Sequence, residues 1–243
     1  MMNKLKLQQL LKLLDLTRLN DDDSQGEMQE WLQQTAIASA VPAAFCVYPQ
    51  YLAQTSQHLA ALQMTAELAT VVNFPSGDVP TSRVLEEIAE ALKLGATEID
   101  CVLPYKALLA GNTEQVLDFL LNVRRACGDT CLKIIIESGE LVTPQQIIKA
   151  TELSIQAGAD FVKTSTGKVP VGATAESARC ILTVIAATDR FVGFKASGGV
   201  RTVAQALELV QLYEDITGRI ATADGMRIGA SALLTELRAL LAD

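Results

Sequence analysis

The segment LGATEIDCVL (residues 94–103) recurs in outline as AGADFVKTST (residues 157–166). In both segments, apolar residues at helical spacing end at a glycine, Gly95 or Gly158, and a short apolar run follows. Glycine readily adopts the left-handed backbone conformation in which many helices end. The two segments therefore predict one repeated joint, where a helix ends at glycine and a buried strand begins.

The same alternation of helical stretches and short β-branched runs extends along the whole chain. Polar residues or glycine near the ends of the predicted strands follow one another at intervals of 26 to 37 residues, from Asp15 to Gly229. Such intervals suit strand–helix–strand units of about 30 residues, and eight of them predict a (β/α)8 TIM barrel. The predicted strands are Leu13–Thr17, Ala43–Tyr48, Leu68–Phe74, Glu98–Leu103, Leu132–Glu137, Asp160–Thr164, Phe191–Lys195 and Met226–Gly229.

A doubly wound open sheet has the same alternation and is the alternative fold. Eight similar units, and the lack of a GxGxxG pattern after the first predicted strand, favour the barrel. No linker rich in proline, glycine or serine divides the chain, so residues 1–243 are predicted to form a single domain. Lysines alternate with leucines over residues 1–14, which predicts an extra N-terminal helix before the first strand.

The composition excludes two classes of partner. The 243 residues carry a formal net charge of −8, from 20 Lys and Arg against 28 Asp and Glu. A nucleic-acid-binding protein needs a basic surface to displace counterions from phosphates, so we expect no nucleic-acid partner. No run of about 20 apolar residues exists to cross a membrane, and the first residues do not resemble a signal peptide. We expect a soluble protein.

Histidine and cysteine are too sparse for an obvious metal site. The single histidine, His58, lies in a polar helical stretch and is predicted to be a surface residue. The five cysteines include no CxxC pair. Most of them lie in apolar segments, as free thiols do in a reducing cytosol, so a cytoplasmic location is predicted.

Two lysines and one aspartate are the candidate catalytic residues. Lys163 lies in an apolar predicted strand, where burial of an ammonium group is costly and lowers its pKa. Lys195 occupies the corresponding place on the next strand, about 5 Å away, so one of the two amines is expected to be neutral and able to form a Schiff base. Asp100, on a third strand, could pair with a lysine or move protons. The alternatives are a lysine that snorkels from a strand end and a structural salt bridge.

Three glycine-containing loops predict an anion site. STGK (165–168), SGGVRT (197–202) and GAS (229–231) follow the sixth, seventh and eighth predicted strands. Glycine lets backbone N–H groups approach an anion, and the N-terminus of a helix favours negative charge. Barrels often bind phosphate at the last two of these loops. STGK is not a P-loop, because Val169 follows Lys168 and the glycine spacing differs.

With these residues in place, the sequence resembles the deoxyribose-phosphate aldolases, a family of class I aldolases. The resemblance extends over nearly the whole chain. Its markers are LLDLTRLNDDD (13–23), CVYP (46–49), VVNFPSG (71–77), DCVLPYKALLAGN (100–112), KIIIESGEL (133–141), GADFVKTSTGK (158–168), ATAESAR (173–179), GFKASGGVRT (193–202) and RIGAS (227–231).

The resemblance implies a role for each candidate residue. Lys163 would form the Schiff base, and Lys195 would lower its pKa. Asp100 would exchange protons with Lys195 through an ordered water, and Asp15 and Cys46 would line the site near the reacting carbons. The residues that would hold the 5-phosphate of the substrate are Thr166, Gly167, Lys168, Gly198, Gly199, Gly229 and Ser231.

The activity that the resemblance implies is a lyase reaction. It is the reversible cleavage of 2-deoxy-D-ribose 5-phosphate to acetaldehyde and D-glyceraldehyde 3-phosphate, with no metal and no other cofactor. A homo-oligomer is expected, with a dimer favoured. The chain departs from the family at Ala196, where proline is common, and at Ala232, where a second serine is common. The alternatives are a non-catalytic barrel that binds a sugar phosphate, and another phosphate-barrel aldolase or isomerase.

Overall fold

The computed structural model describes residues 4–35 and 41–242. These residues form a closed barrel of eight parallel strands in chain order, which confirms the predicted (β/α)8 fold over the open sheet. The strands are β1 (Leu14–Arg18), β2 (Ala44–Val47), β3 (Glu67–Val72), β4 (Glu98–Val102), β5 (Cys131–Ile135), β6 (Phe161–Lys163), β7 (Gly193–Ser197) and β8 (Met226–Ala230).

Helices alternate with the strands. The first is the expected N-terminal helix, although residues 1–3 of that prediction lie outside the described residues. The helices are α1 (Lys4–Lys12), α2 (Gln25–Thr35), α3 (Leu52–Ala61), α4 (Thr81–Lys93), α5 (Tyr105–Leu109), α6 (Thr113–Cys127), α7 (Ser138–Leu141), α8 (Pro144–Gln156), α9 (Ala175–Ala187), α10 (Val203–Thr217) and α11 (Leu233–Ala242), with a 3-10 turn at Pro49–Tyr51.

The longer helices are amphipathic, and three of them begin with a side-chain cap. In α4, for example, Val84, Ile88 and Ala91 are buried along one face at helical spacing. Helices α8, α9 and α10 each begin with a threonine capping box, in which the threonine hydroxyl accepts from a backbone N–H three residues later. Over residues 4–35 and 41–242, every helix is too short or too polar to cross a membrane.

The repeated helix–glycine–strand joint is present as predicted. Gly95 and Gly158 have φ angles of 93° and 96° and follow the ends of α4 and α8. In both joints, the amide after the glycine donates to a carbonyl five residues earlier at 3.0 Å. This bond closes the last helical turn, and the chain then enters β4 or β6.

Five strands end earlier than predicted, two of them by two residues and three by one. Strands β3 and β5 stop at Val72 and Ile135, each two residues before the expected end. The cause is the backbone of Asn73 and Glu137, which have left-handed φ angles of 53° and 51° and are both buried. A left-handed residue interrupts the extended conformation of a strand. At these two points the chain turns at the mouth of the barrel.

The register of the strands decides which side chains meet inside. Lys195 on β7 pairs in register with Lys163 on β6 and with Arg227 on β8. Asp100 on β4 pairs in register with Lys133 on β5. Residues that are paired in this way point to the same face of a sheet, so their charged groups share the barrel interior.

Two glycine backbones join the loops after β6 and β7. A Cβ added to Gly172 would lie 2.1 Å from the carbonyl oxygen of Gly198. The amide of Ala173 donates to the same oxygen at 2.9 Å. The close approach holds the two loops together, and both lie beside the carboxyl ends of the strands.

We therefore predict that Gly172→Ala destabilises the protein. The added methyl group must displace backbone atoms, and overpacking of this kind costs about 1–3 kcal/mol. Gly26→Ala is the matched control: Gly26 lies within α2 and its added Cβ would meet its nearest neighbour at 3.8 Å. Urea unfolding should show a lower midpoint for Gly172→Ala and an equal or higher midpoint for Gly26→Ala. Equal midpoints would contradict the importance of the contact.

Candidate active site

Seven charged side chains from six strands meet inside the barrel, and each is at most 5% exposed. Ordinary cores exclude charged groups, because each one loses its hydration when it is buried. A set of this size therefore indicates a functional site. We refer to it as the charged cluster; its members are Asp15, Glu98, Asp100, Lys133, Lys163, Lys195 and Arg227.

Asp100 connects the three lysines of the charged cluster. Its Oδ2 atom accepts from the Nζ atoms of Lys163 and Lys195, both at 2.8 Å. Its Oδ1 atom accepts from Nζ of Lys133 at 2.9 Å. Burial alone raises the pKa of Asp100, but Lys133, Lys163 and Lys195 together bring this pKa well below its usual range. Asp100 is therefore an ionised carboxylate. The structure brings the three predicted catalytic residues into direct contact.

Asp15 is a second carboxylate at the centre of the charged cluster. Its Oδ2 atom lies 2.5 Å from Nζ of Lys195, and its Oδ1 atom accepts from Nη1 of Arg227 at 2.8 Å. Burial raises the pKa of Asp15, but Lys195, Lys133 and Arg227 outweigh burial and lower the pKa overall. Lys195 is thus held between two carboxylates.

The three lysines differ in their protonation. Burial lowers the pKa of Lys163, and the nearby charge of Lys195 lowers it further, while Asp100 opposes both effects. Burial acts in the same direction on Lys195 and Lys133, but their carboxylate neighbours raise both pKa values above the usual range. Lys163 is therefore the amine that loses its proton most readily.

Three members of the charged cluster were missed in the sequence: Glu98, Lys133 and Arg227. Glu98 accepts from Nη2 of Arg227 at 2.9 Å and forms an ion pair with Lys133. Two signals pointed to them. Glu98 and Asp100 are two residues apart on one predicted strand, so they face the same side. Lys133 lies in an apolar strand segment, as Lys163 does.

Cys46 lies within β2 and is fully buried in the barrel. Burial is the main cause of its raised pKa, while the positive charges of Lys195 and Lys163 partly offset this effect. The side chain is therefore a neutral thiol close to the charged cluster.

A cavity of about 590 Å³ opens above the charged cluster. Of the three lysines in the cluster, all within the described residues, Lys163 alone lines this cavity. The predicted phosphate-site residues all lie in its lining: Thr166, Gly167, Lys168, Gly198, Gly199, Gly229 and Ser231. The chain leads from Ser231 into α11, so the N-terminal end of that helix borders the cavity. The loops after β6, β7 and β8 converge as expected.

Other cavity residues were not predicted. Arg18 and Arg201 add positive charge to the lining, and Arg18 forms an ion pair with Asp23 at 2.6 Å. Trp31 packs its ring edge-to-face on Phe45, as expected of a core residue, but it also borders the cavity. No sequence pattern pointed to Trp31 as a cavity residue, because a helix periodicity does not show what lies beyond the helix.

Lys168 extends towards the loop after β1. Its Nζ atom donates to Oδ1 of Asp21 at 2.9 Å and lies 5.9 Å from the ring centre of Tyr48. Tyr48 also donates to Asp21, at 2.6 Å. An anion in the cavity would have to compete with Asp21 for this ammonium group.

The single histidine and the five cysteines lie outside the charged cluster. Within residues 4–35 and 41–242, no three His, Cys, Asp or Glu side chains are grouped as a metal site requires. His58 is half-buried on α3, and its Nε2 atom is buried. All five cysteines lie in the described part of the chain and are free thiols.

Comparison with known proteins identifies the family. A sequence model of the DeoC/LacD family of aldolases matches residues 9–235, which is nearly the whole chain. The chain belongs to the DeoC/LacD aldolases. The aldolase designated QR15 has a similar structure, with 29% identity, 96% coverage of each chain and a TM-score of 0.81.

Two further solved structures are similar to the present chain. A Coccidioides immitis protein assigned as a deoxyribose-phosphate aldolase shares 28% identity, with 96% of this chain and 87% of that chain covered and a TM-score of 0.83. A tetrameric deoxyribose phosphate aldolase from Aeropyrum pernix shares 25% identity, with 96% and 93% coverage and a TM-score of 0.78.

The lowered pKa of Lys163 predicts a pH dependence of stability in this aldolase. An unfolded lysine titrates near pH 10.4, so above the folded pKa of Lys163 and below pH 10.4 the unfolded chain binds more protons. Lys163 therefore weakens the fold most at low pH, and this cost disappears as the pH rises towards 10.4. We expect the unfolding free energy of Lys163→Met, minus that of the wild type, to decrease from pH 7 to pH 10.

Denaturant unfolding over this pH range measures the difference directly. Lys149→Met is the matched control. Lys149 is exposed on α8, so this variant loses the same side chain at a position outside the barrel. Its difference from the wild type should stay constant. A constant difference for Lys163→Met as well would mean that Lys163 keeps an ordinary pKa.

Proposed function

We propose that this aldolase cleaves 2-deoxy-D-ribose 5-phosphate reversibly to acetaldehyde and D-glyceraldehyde 3-phosphate, through a Schiff base on Lys163. The observation that carries the proposal is the position of Lys163. Its lowered pKa makes the amine available, and it lies where the charged cluster meets the cavity. A nucleophilic lysine needs both a neutral amine and access to the substrate.

The first step joins Lys163 to the sugar. The neutral amine attacks the C1 aldehyde of the open-chain sugar, and loss of water gives a protonated imine. The positive charge of this imine then lies beside Oδ2 of Asp100, which is 2.8 Å from Nζ of Lys163 before the reaction. An ionised carboxylate fixed at that point stabilises the imine without reorganisation.

The second step breaks the bond between C2 and C3. Removal of the proton from the C3 hydroxyl turns C3 into the aldehyde carbon of glyceraldehyde 3-phosphate, and the electron pair of the broken bond moves to C2. The imine accepts that pair as an enamine. Protonation at C2 and hydrolysis then release acetaldehyde and restore the amine.

Lys195 and Asp100 are the proposed proton carriers in these steps. Oδ2 of Asp100 lies 2.8 Å from both Nζ of Lys163 and Nζ of Lys195, so it can pass a proton between them, directly or through an ordered water. The raised pKa of Lys195 keeps a proton available there. Asp15 would hold Lys195 in place, and Cys46 would border the reacting carbons.

The glycine loops are proposed to hold the 5-phosphate. Gly167, Gly198 and Gly199 have φ angles of 82°, 79° and 83°, which only glycine adopts without strain. Such turns leave backbone N–H groups free to face an anion, and Gly229 and Ser231 add the N-terminal end of α11. Thr166 and Lys168 complete the proposed set on the loop after β6. The cavity volume falls in the range of small-ligand sites.

We predict that acetaldehyde and borohydride together add one ethyl group to Lys163. Borohydride reduces the imine to a stable secondary amine, and peptide mass mapping locates it. Lys163→Arg should take up no ethyl group in the site and should lose turnover, because its guanidinium stays charged. Ethylation at Lys195 or Lys133 in place of Lys163 would contradict the assignment of the nucleophile.

Product analysis separates this activity from its alternatives. Incubation with 2-deoxy-D-ribose 5-phosphate should yield acetaldehyde and glyceraldehyde 3-phosphate in equal amounts. A ketose-phosphate aldolase needs a ketone at C2, which this sugar lacks, so it would release no acetaldehyde. An isomerase would change the sugar without cleaving it, and a binding protein would leave it unchanged.

We further predict that Ser231→Asp raises the KM for 2-deoxy-D-ribose 5-phosphate about tenfold or more. A carboxylate beside the phosphate repels it and opposes the helix end that attracts it. The rate at which acetaldehyde forms an imine with Lys163 should stay unchanged, since acetaldehyde carries no phosphate. Ser231→Ala is the matched control for loss of the hydroxyl. If unphosphorylated 2-deoxyribose is cleaved by the wild type with the same KM, the phosphate assignment is wrong.

We also propose a cytoplasmic location and self-association of the chain. The five free thiols support a reducing compartment, in agreement with the predicted cytoplasm. The similar A. pernix aldolase is a tetramer, which supports self-association of this chain. The expectation that the assembly is a dimer stays a prediction.

A further inference from the structure

Glu98, Lys133 and Arg227 have no part in the proposed bond-making steps, yet they are among the most constrained side chains in the barrel. Arg227 donates from Nε to the carbonyl of Ala223, and its guanidinium lies 5.5 Å from the ring centre of Phe161. Glu98 accepts from Arg227 and pairs with Lys133. Buried ion pairs seldom improve stability over an apolar core, so these three residues call for another explanation.

The charge balance of the cluster explains why these three residues are present. It contains three carboxylates and four basic groups, so full ionisation would leave one uncompensated positive charge in the barrel. The arginine stays charged at any ordinary pH. Three carboxylates are therefore balanced when two lysines are charged and the third is neutral.

The geometry selects which lysine is neutral. Among the described residues, Lys133 makes ion pairs with three carboxylates, Lys195 with two and Lys163 with one. The single partner of Lys163 is Asp100, whose charge is shared with both other lysines. Lys163 therefore has the weakest hold on its proton.

Lys133 influences Lys163 through Asp100. One oxygen of this carboxylate faces Lys133 and the other faces Lys163. Without the charge of Lys133, Asp100 would hold the proton of Lys163 more strongly. Glu98 acts in the opposite sense, because its own negative charge offsets the positive charge of Lys133 and so favours a proton on Lys163.

The other titratable groups around Lys163 do not remove this effect. Cys46 is neutral because burial raises its pKa, and burial also raises the pKa of Glu137, whose carboxylate accepts from the Thr166 amide at 3.1 Å. The titratable and charged groups that face Lys163 come from the strands around it. They are Asp15 on β1, Cys46 on β2, Asp100 on β4, Lys133 on β5, Glu137 after the end of β5, Lys195 on β7 and Arg227 on β8. The inward positions of β3, Ala69 and Val71, are apolar.

We propose that Glu98 and Lys133 are positioning residues which, by balancing the charge beneath Asp100, leave Lys163 as the neutral amine of the cluster. The inference rests on the proposed function only where it assigns the neutral amine to Schiff-base formation. It adds two residues that never contact the substrate and that set the pH range of the nucleophile.

Opposite shifts in two variants test the proposal. Lys133→Met removes a positive charge, so three carboxylates then face Lys163, Lys195 and Arg227, and balance requires a proton on Lys163. We expect its reactivity to move to higher pH by at least one unit, which is about a tenfold loss at neutral pH. Glu98→Gln removes a negative charge, and we expect a shift to lower pH. The double variant restores the balance and should return the profile towards that of the wild type.

The readout is the rate at which cyanate carbamylates Lys163, followed by peptide mapping from pH 6 to pH 10. This small reagent reacts with neutral amines and needs no aldolase chemistry. Lys133→Arg keeps the charge and should preserve the wild-type profile, while Lys149→Met on the exposed face of α8 controls for loss of any lysine. Thermal unfolding of each variant checks the fold, and if Lys133→Met does not fold, the Glu98→Gln shift and the double variant decide.

Opposite shifts that cancel in the double variant would support the proposal. Unshifted profiles in folded variants would overturn it and make Glu98 and Lys133 structural residues. The proposed function fails separately: if borohydride traps no acetaldehyde on wild-type Lys163 while the cyanate profiles shift as expected, the charge balance stands and the Schiff-base reaction does not.

Discussion

The carboxylate of Asp100 is the constraint on which the rest of the site depends. It is fully buried and accepts from the Nζ atoms of three lysines, at 2.8, 2.8 and 2.9 Å. Three lysines could not lie together in a barrel without such a partner, since each loses its hydration and repels the other two. The same carboxylate cannot fully compensate all three. The unequal sharing of one negative charge therefore makes the lysines chemically different, although they begin as the same residue.

The barrel supplies this arrangement because its strands are in register. Neighbouring strands bring Lys163, Lys195 and Arg227 side by side, and they bring Asp100 beside Lys133. The loops at the carboxyl ends then add a different kind of chemistry, with glycine backbones and the end of α11 around the cavity. Charge chemistry lies inside the barrel and anion recognition lies at its mouth, and Lys163 is placed where the two regions meet.

Much of this could be predicted from the sequence. The interval between polar strand ends predicted eight strands and a barrel, because a strand and its return helix need a nearly constant length of chain. Lys163 and Lys195 were found because a lysine in an apolar strand is costly to bury. The same reasoning applies to Lys133. The candidate residues were sought at the ends of the predicted strands, however, and Lys133 lies in the middle of β5.

Other features depended on three-dimensional contacts that no sequence pattern shows. Arg227 precedes a glycine loop in the sequence, and only the closed barrel brings it to Glu98 and Asp15. The left-handed backbone of Asn73 and Glu137 shortens two strands. Asparagine is enriched in that conformation, but glutamate is not, and the residue type alone predicts neither turn. The differences among the three lysines follow from distances to shared carboxylates, which are properties of the fold.

The central claim is that one buried lysine, Lys163, is neutral while its two neighbours stay charged. Nuclear magnetic resonance of protein labelled with 15N at the lysine Nζ atoms tests it most directly, because amine and ammonium nitrogens differ in chemical shift and in the number of attached protons. The signals of Lys163, Lys195 and Lys133 can be assigned by single substitutions. The account predicts that Lys163 titrates below the exposed lysines, while Lys133 and Lys195 remain ammonium groups throughout that range. A Lys163 signal that titrates together with the exposed lysines, or a neutral Lys133 or Lys195 in its place, would contradict the account.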